Sequence, residues 1–177
     1  MGRRWDRLNR VEARAVASVP VLPNRPPNPA VIAVTTAGRG GALWLALCAA
    51  EALRPGGDRR AARHAALAVL SALGLAHLVK RVVPRRARPE PPGGPARRSL
   101  PERPDSSSFP SAHAATAAAF TAALAVHDLR RAALVAPLTL TSSYGRLRTR
   151  VHWPTDLLAG VTLGTATAVL AGRFLDR

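Results

Sequence analysis

An all-α bundle embedded in a membrane is the fold class this chain predicts, and three observations predict it. Apolar runs rich in Ala and Leu recur at about 41–53, 65–79, 111–126, 132–143 and 157–171. Clusters of Arg, Pro and Gly separate them. Charge is one-sided: of 177 residues 47% are hydrophobic, and 26 Lys+Arg stand against 10 Asp+Glu, a formal charge of +16. A soluble all-α domain with buried helices is the competing reading, but it would leave most of those arginines without acidic partners beside long apolar runs. No nucleic-acid partner is expected, because aromatic residues make up only 4% and the basic clusters sit at helix ends, with no continuous stripe.

Taken in order, residues 1–19 read as an amphipathic helix on the membrane surface, with Trp5, Leu8, Val11 and Val16 roughly on one side. A disordered basic tail is the alternative. Arg3, Arg4, Asp6, Arg7 and Arg10 lead into no compact apolar stretch before Pro20, so no cleavable signal peptide is expected. Five prolines in residues 20–29 preclude a helix there and predict a linker. The chain thus divides into an N-terminal segment with its linker, 1–29, and a membrane domain, 30–177.

The first crossing begins at either Ala30 or Gly41, because Gly38-Arg39-Gly40-Gly41 cuts the apolar run, and it ends at Arg54-Pro55-Gly56-Gly57-Asp58. The second runs from about Arg60 to Val83 and stops at Pro84. A Pro-, Arg- and Ser-rich loop follows to Pro110, long enough to need a functional reason or to be partly disordered. The third and fourth, at about 111–127 and 130–144, meet at His127-Asp128-Leu129. The fifth starts near Pro154, a favoured first-turn residue, and reaches about Phe174. Several runs hold only about 15 residues where a hydrocarbon core about 30 Å thick takes about 20, so those helices must tilt or borrow flanking residues. Cys48, the one cysteine, excludes a disulfide within the chain. Nothing in the sequence signals an oligomeric state.

Three short strings stand where apolar segments meet basic or turn-rich ones: Lys80 with Arg88-Pro89, then Pro110-Ser111-Ala112-His113, then Arg146 with His152 and Asp156. Successive crossings alternate direction. The first string ends the second crossing, the next opens the third, and the last joins the fourth to the fifth, so all three fall on one face of the membrane.

These strings resemble the signature of the type 2 phosphatidic acid phosphatase superfamily: Lys, six residues, Arg-Pro; then Pro-Ser-Gly-His; then Ser-Arg, five residues, His, three residues, Asp. The resemblance covers about residues 40–172 and looks most like the short actinobacterial members, some of which act on polyprenyl-phosphate lipids. Three positions depart from the pattern. Seven residues separate Lys80 from Arg88, whereas Arg81 to Arg88 has the usual six; Lys80 is the only lysine in the chain, which favours it over Arg81. Ala112 stands for Gly, which questions a positive φ and a close approach of its N–H to phosphate. Gly145 stands for Ser and removes one hydroxyl contact.

The resemblance implies a metal-free membrane phosphatase domain in 30–177, lodged in the cell membrane as a multi-pass protein, with a lipid-phosphate substrate and no cofactor. Lys80, Arg88 and Arg146 would neutralise the phosphoryl oxygens, the arginines by paired hydrogen bonds. Ser111 and the first amides of the third helix would add donors at the positive end of its dipole. His152 is the expected nucleophile, giving a phosphohistidine, with Asp156 one turn on to fix its tautomer. His113 is the expected general acid, then general base. A vanadate-dependent haloperoxidase-like enzyme, or a non-catalytic lipid-binding membrane protein, would keep the same anion pocket.

Other residues carry weaker signals. Arg148 and Arg150 divide between positive-inside topology and the site. His77 shares a helix face with Lys80 but reads as a helix-packing residue, and His64 and His127 as exposed helix ends. Arg85, Arg86, Arg97, Arg98 and Arg103 read as solvated loop charges, with the gathering of anionic headgroups as the alternative. Arginines lie on both faces, and the side of the membrane stays open.

Overall fold

A computed structural model describes residues 3–17, 28–89 and 105–175. Most of the proline-rich linker, and residues 90–104 with Arg97, Arg98 and Arg103, lie outside the described residues. Among those described the secondary structure is helical throughout: α1 Arg3–Ala17, α2 Pro29–Ala37, α3 Ala42–Leu53, α4 Arg59–Val82, α5 Ala112–His127, α6 Leu129–Arg148 and α7 Pro154–Leu175.

Local chemistry sets most of these ends. Asn28 caps α2 through the Ala30 amide at 2.8 Å, with Pro29 at the first helical position. Asp58 caps α4 through Ala61, and Asp128 caps α6 through the Arg130 and Arg131 amides at 2.9 and 3.2 Å. Val83 leaves α4 in an extended conformation just before Pro84, as a residue preceding proline prefers. At the end of α6 the Val151 amide reaches back to the Arg146 carbonyl and the Arg150 amide to that of Leu147, with Arg150 left-handed at φ 53°. That pair of bonds is a Schellman motif, which usually has Gly at the left-handed position. It reverses the chain so that Val151 and His152 fold back towards the helix that carries Arg146.

Both stretches on either side of the glycine cluster, from Ala30 and from Gly41, are helical. Helices α2 and α3 form a bent pair, broken by 60° at a 3₁₀ turn of Arg39–Gly41. Gly40 and Gly41 take φ of 58° and 78°, which a side chain would resist.

Helix α5 lies at the centre, packed against α4, α6 and α7, while α2 packs on α6. Its inner residues are small: Ala114, Ala115, Ala117 and Ala119 are wholly buried. Helix α7 comes so close that a Cβ at Gly164 would stand 2.1 Å from the Ala115 carbonyl oxygen, and one at Gly160 2.5 Å from that of Ser111. Trp44 and Phe120 are the large side chains packed inside with them, while many leucines point outward, among them Leu70, Leu78, Leu134, Leu140, Leu158 and Leu170. Small residues inside and leucines outside are what helices solvated by lipid adopt. By length and composition α4 and α7 can each cross a membrane, and the bent pair is a third candidate. Helix α5, of 16 residues, is apolar but shorter.

Helix α1 departs from the expectation of an apolar face. Val11 is exposed, and the side turned to the protein carries Trp5, Asn9, Glu12 and Val16. These recur at helical spacing, with two polar residues in the middle. Their partner is Arg86.

Candidate active site

Three elements and two loops meet at a cavity of about 240 Å³. Lys80 from the end of α4, Arg88 from the loop beyond it, His113 from the start of α5, Arg146 from the end of α6 and His152 from the turn before α7 all line it. Arg81, one residue past Lys80, is exposed and is not on its wall. Ser111 and Asp156 lie behind that wall, both fully buried.

The cations are held apart by the backbone. Lys80 Nζ donates to the Ser107 carbonyl at 2.6 Å. Arg88 donates to the Val151 carbonyl at 2.6 Å and to Ser106 at 3.0 Å. Arg146 is 3% exposed, and its Nε has no hydrogen-bond partner among the described residues. A buried guanidinium donor left over by the protein is costly unless an anion completes it.

His152 sits below this cluster. Its Nδ1 is 3.5 Å from Asp156 Oδ2, which leaves Nε2 as the ring's other nitrogen. Burial, helped by the nearby Arg146 and Arg88 charges and opposed by Asp156, pushes its pKa down to about 3. The imidazole is therefore neutral, with a lone pair, at any physiological pH.

Asp156 is itself over-determined. At the third position of α7 it accepts from the Trp153 amide at 2.8 Å, a reach back to the helix start like that of a capping box. Its other oxygen accepts from Arg86 Nη1 at 2.8 Å. The expectation of a solvated Arg86 is wrong. Its side chain is wholly buried, stacked between the Trp5 and Trp153 rings at 4.9 and 5.3 Å, and bonded to Asn9 Oδ1, Thr155 Oγ1 and Glu12. Sequence reading missed it because no local pattern separates Arg86 from Arg85. Glu12, one of two acids on a basic helix, was the available signal.

His113 is gripped by α2 and the residue that follows it. Its Nε2 is 3.2 Å from the Thr35 carbonyl oxygen, and a Cβ on Gly38 would lie 3.4 Å from its ring. Beside it Arg39, also missed, lines the cavity, as do Ser106 and His77. The His77 Nδ1 is engaged with the Leu73 carbonyl at 2.8 Å, so the packing role and the site contact coexist.

The departures at Ala112 and Gly145 have local reasons. Ala112 is the first residue of α5 and has no positive φ, so no glycine is needed there. Ser111 caps that helix, accepting from the Ala114 amide at 3.3 Å, and is anchored by its own N–H to the Asp156 carbonyl at 2.9 Å. Gly145 faces α2: a Cβ there would stand 1.9 Å from Thr35 Oγ1. Any side chain at 145 would push away the segment that holds His113.

On the opposite end of α4, His64 is 2% exposed and not at a surface end as expected. It joins His127 at 2.9 Å and the Ala168 carbonyl at 2.7 Å, tying α4, α5 and α7 together.

Residues 61–177 match the PAP2 superfamily. The chain is 39% identical over 125 residues to the decaprenylphosphoryl-5-phosphoribose phosphatase of Mycolicibacterium smegmatis, a match over 70% of this chain and 65% of that protein, a little under two thirds of its length. In fold it resembles the crystal structure of Aquifex aeolicus LpxE, with a TM-score of 0.66 and 20% identity over 94% of this chain and 93% of that one. It also resembles the first transmembrane PAP2 type phosphatidylglycerolphosphate phosphatase from Bacillus subtilis, with a TM-score of 0.67 and 19% identity over 98% and 87%. At such identity these two speak for the fold, and the family match covers most of the chain: it belongs to the PAP2 superfamily.

Proposed function

We propose that the chain is a multi-pass membrane phosphatase that hydrolyses a lipid-borne phosphate monoester or diphosphate through a phosphohistidine on His152, without a metal ion. The observation that carries this reading is the grouping of Lys80, Arg88 and the incompletely bonded Arg146 around a cavity that also holds His113 and His152. The substrate named for the Mycolicibacterium smegmatis relative, a polyprenyl-linked sugar phosphate, favours a polyprenyl lipid.

In this reading the three cations take the phosphoryl oxygens and lower the repulsion that a dianion offers an incoming lone pair. Helix α5, started by Ser111, turns its first amides towards the same charge. His152 Nε2 attacks phosphorus and a P–N bond forms as the bond to the leaving oxygen breaks. Asp156, fixed by Arg86 and 3.5 Å from Nδ1, draws in to accept from Nδ1–H as the ring turns positive and stabilises it. His113 gives the leaving oxygen its proton. Water then attacks phosphorus, His113 takes the proton from the water, and the P–N bond breaks to release phosphate and neutral His152. Because His113 Nε2 is bonded to the Thr35 carbonyl, the proton travels through Nδ1 or that bond opens.

The bilayer arrangement follows the same reading. Five crossings are formed by the bent α2–α3 pair, α4, α5, α6 and α7. Helix α5 is about 24 Å long at 1.5 Å per residue, so it spans the core only where the bilayer thins or its ends are drawn in. The lipid tail lies among outward leucines while the phosphate rises to the cavity. The deciding experiment is phosphate release by purified protein with a chelator present, over polyprenyl diphosphate, phosphatidate, phosphatidylglycerol phosphate and polyprenyl-phosphoribose phosphate. Release that survives the chelator and disappears in His152→Ala is expected; release abolished by the chelator contradicts the reading.

A further inference from the structure

We propose that Arg39 selects substrates whose leaving group carries a negative charge of its own, such as the inner phosphate of a diphosphate or a phosphodiester joining lipid to sugar. This rests on the phosphatase reading with His113 as the acid.

The argument is one of position. In phosphoryl transfer the attacking and leaving atoms lie on opposite sides of phosphorus, roughly in line. His152 marks the attacking side. Arg88 belongs to that side, since it is bonded to the carbonyl of Val151, the residue before the nucleophile. His113 marks the leaving side, and the segment that holds His113 is the one that carries Arg39. The Thr35 carbonyl is 3.2 Å from His113 Nε2, and Gly38 abuts its ring. Arg39 follows directly in the same turn and lines the same cavity.

The turn is a firm base. Gly41 holds a φ of 78°, and a Cβ there would stand 3.3 Å from Val69 and 3.5 Å from Thr116, so the backbone beneath Arg39 is wedged between α4 and α5. A neutral alcohol leaving group offers Arg39 no negative charge and only the single oxygen that His113 protonates. An anionic one offers two oxygens to a planar, permanently charged donor.

The test compares two substrates of one lipid with the full chain in detergent: a short prenyl diphosphate, whose leaving group is the prenyl phosphate, and the matching prenyl monophosphate, whose leaving group is a neutral alcohol. The quantity read is the ratio of their initial-rate kcat/KM values for phosphate release. In Arg39→Ala the ratio is expected to fall about ten- to hundredfold, the worth of one charge-assisted hydrogen bond. Arg39→Lys should retain part of the preference. Should Arg39→Ala lose both activities through misfolding, Arg39→Gln, which keeps an aliphatic stem and a polar end without the charge, supplies the ratio. A ratio within about threefold of wild type in these variants overturns the proposal, since Arg39 would then serve the transferred phosphoryl group or the turn alone. Release from neither substrate by wild type would overturn the phosphatase reading itself, and the selection role with it.

Discussion

Arg86 Nη1 lies 2.8 Å from Asp156 Oδ1, with both side chains wholly removed from solvent. The pair joins a loop after α4 to the first turn of α7, and Glu12 on α1 closes it from outside. An N-terminal helix remote in sequence thus supports the carboxylate that faces His152.

If that support positions Asp156, then Arg86→Ala should lower kcat about ten- to hundredfold with KM little changed, because a small misplacement near a nucleophile is expensive in rate. Arg86→Lys, which keeps the charge, should recover part of the loss and restore the shape of the pH–rate profile. Glu12→Gln should fall between them. Steady-state kinetics on detergent-solubilised protein checks this; a loss confined to KM would contradict it. Removing one member of a buried pair should also destabilise the fold by about 3–5 kcal/mol, visible in the thermal midpoint.

A second expectation concerns Gly145, where a methyl group would land 1.9 Å from Thr35 Oγ1. Gly145→Ser, which would restore the family residue, should destabilise the protein by about 1–3 kcal/mol through overpacking. Adding Thr35→Ala should recover most of that loss, because the clashing hydroxyl is gone and Thr35 Oγ1 has no hydrogen-bond partner to lose among the described residues. A double-mutant cycle on thermal midpoints measures the coupling; additive effects would refute the contact.

The buried His152 also makes stability depend on pH in a fixed direction. Its folded pKa of about 3 lies below the ordinary value of 6.5, so between these pH values the unfolded chain binds the extra proton. Stability is therefore complete above about pH 6.5 and declines as pH falls towards 3, by up to about 1.4 kcal/mol per pH unit for one proton. His152→Gln should flatten the fall in thermal midpoint between pH 6.5 and 4.5. An unchanged slope would mean that His152 is not held neutral by burial.

How much of this was legible in the sequence depended on whether the signal was local. The helices announced themselves through Ala and Leu runs, and Pro154 marked the start of the last one because first-turn preferences act locally; Asp58 and Asp128 were read only as turn and junction residues, and the structure shows them as caps. Lys80, Arg88, His113, Arg146 and His152 could be drawn to one face by alternating crossings, and the structure places all five on one cavity. Contacts between segments far apart in the chain were not legible. Arg86 looks like Arg85 until α1 brings Glu12 and Trp5 against it, and His64 looks like a helix-end residue until Ala168 and His127 meet it. The break at Arg39–Gly41 was visible as a glycine cluster, but its approach to His113 depends on the 60° bend between α2 and α3.

The central claim is a covalent phosphoryl bond to His152. Purified protein mixed with a ³²P-labelled lipid phosphate, quenched within milliseconds and digested, should carry acid-labile, base-stable label on the peptide containing His152, and His152→Ala should carry none. Turnover by wild type with no labelled protein at any quench time, or label on a different residue, would contradict the account.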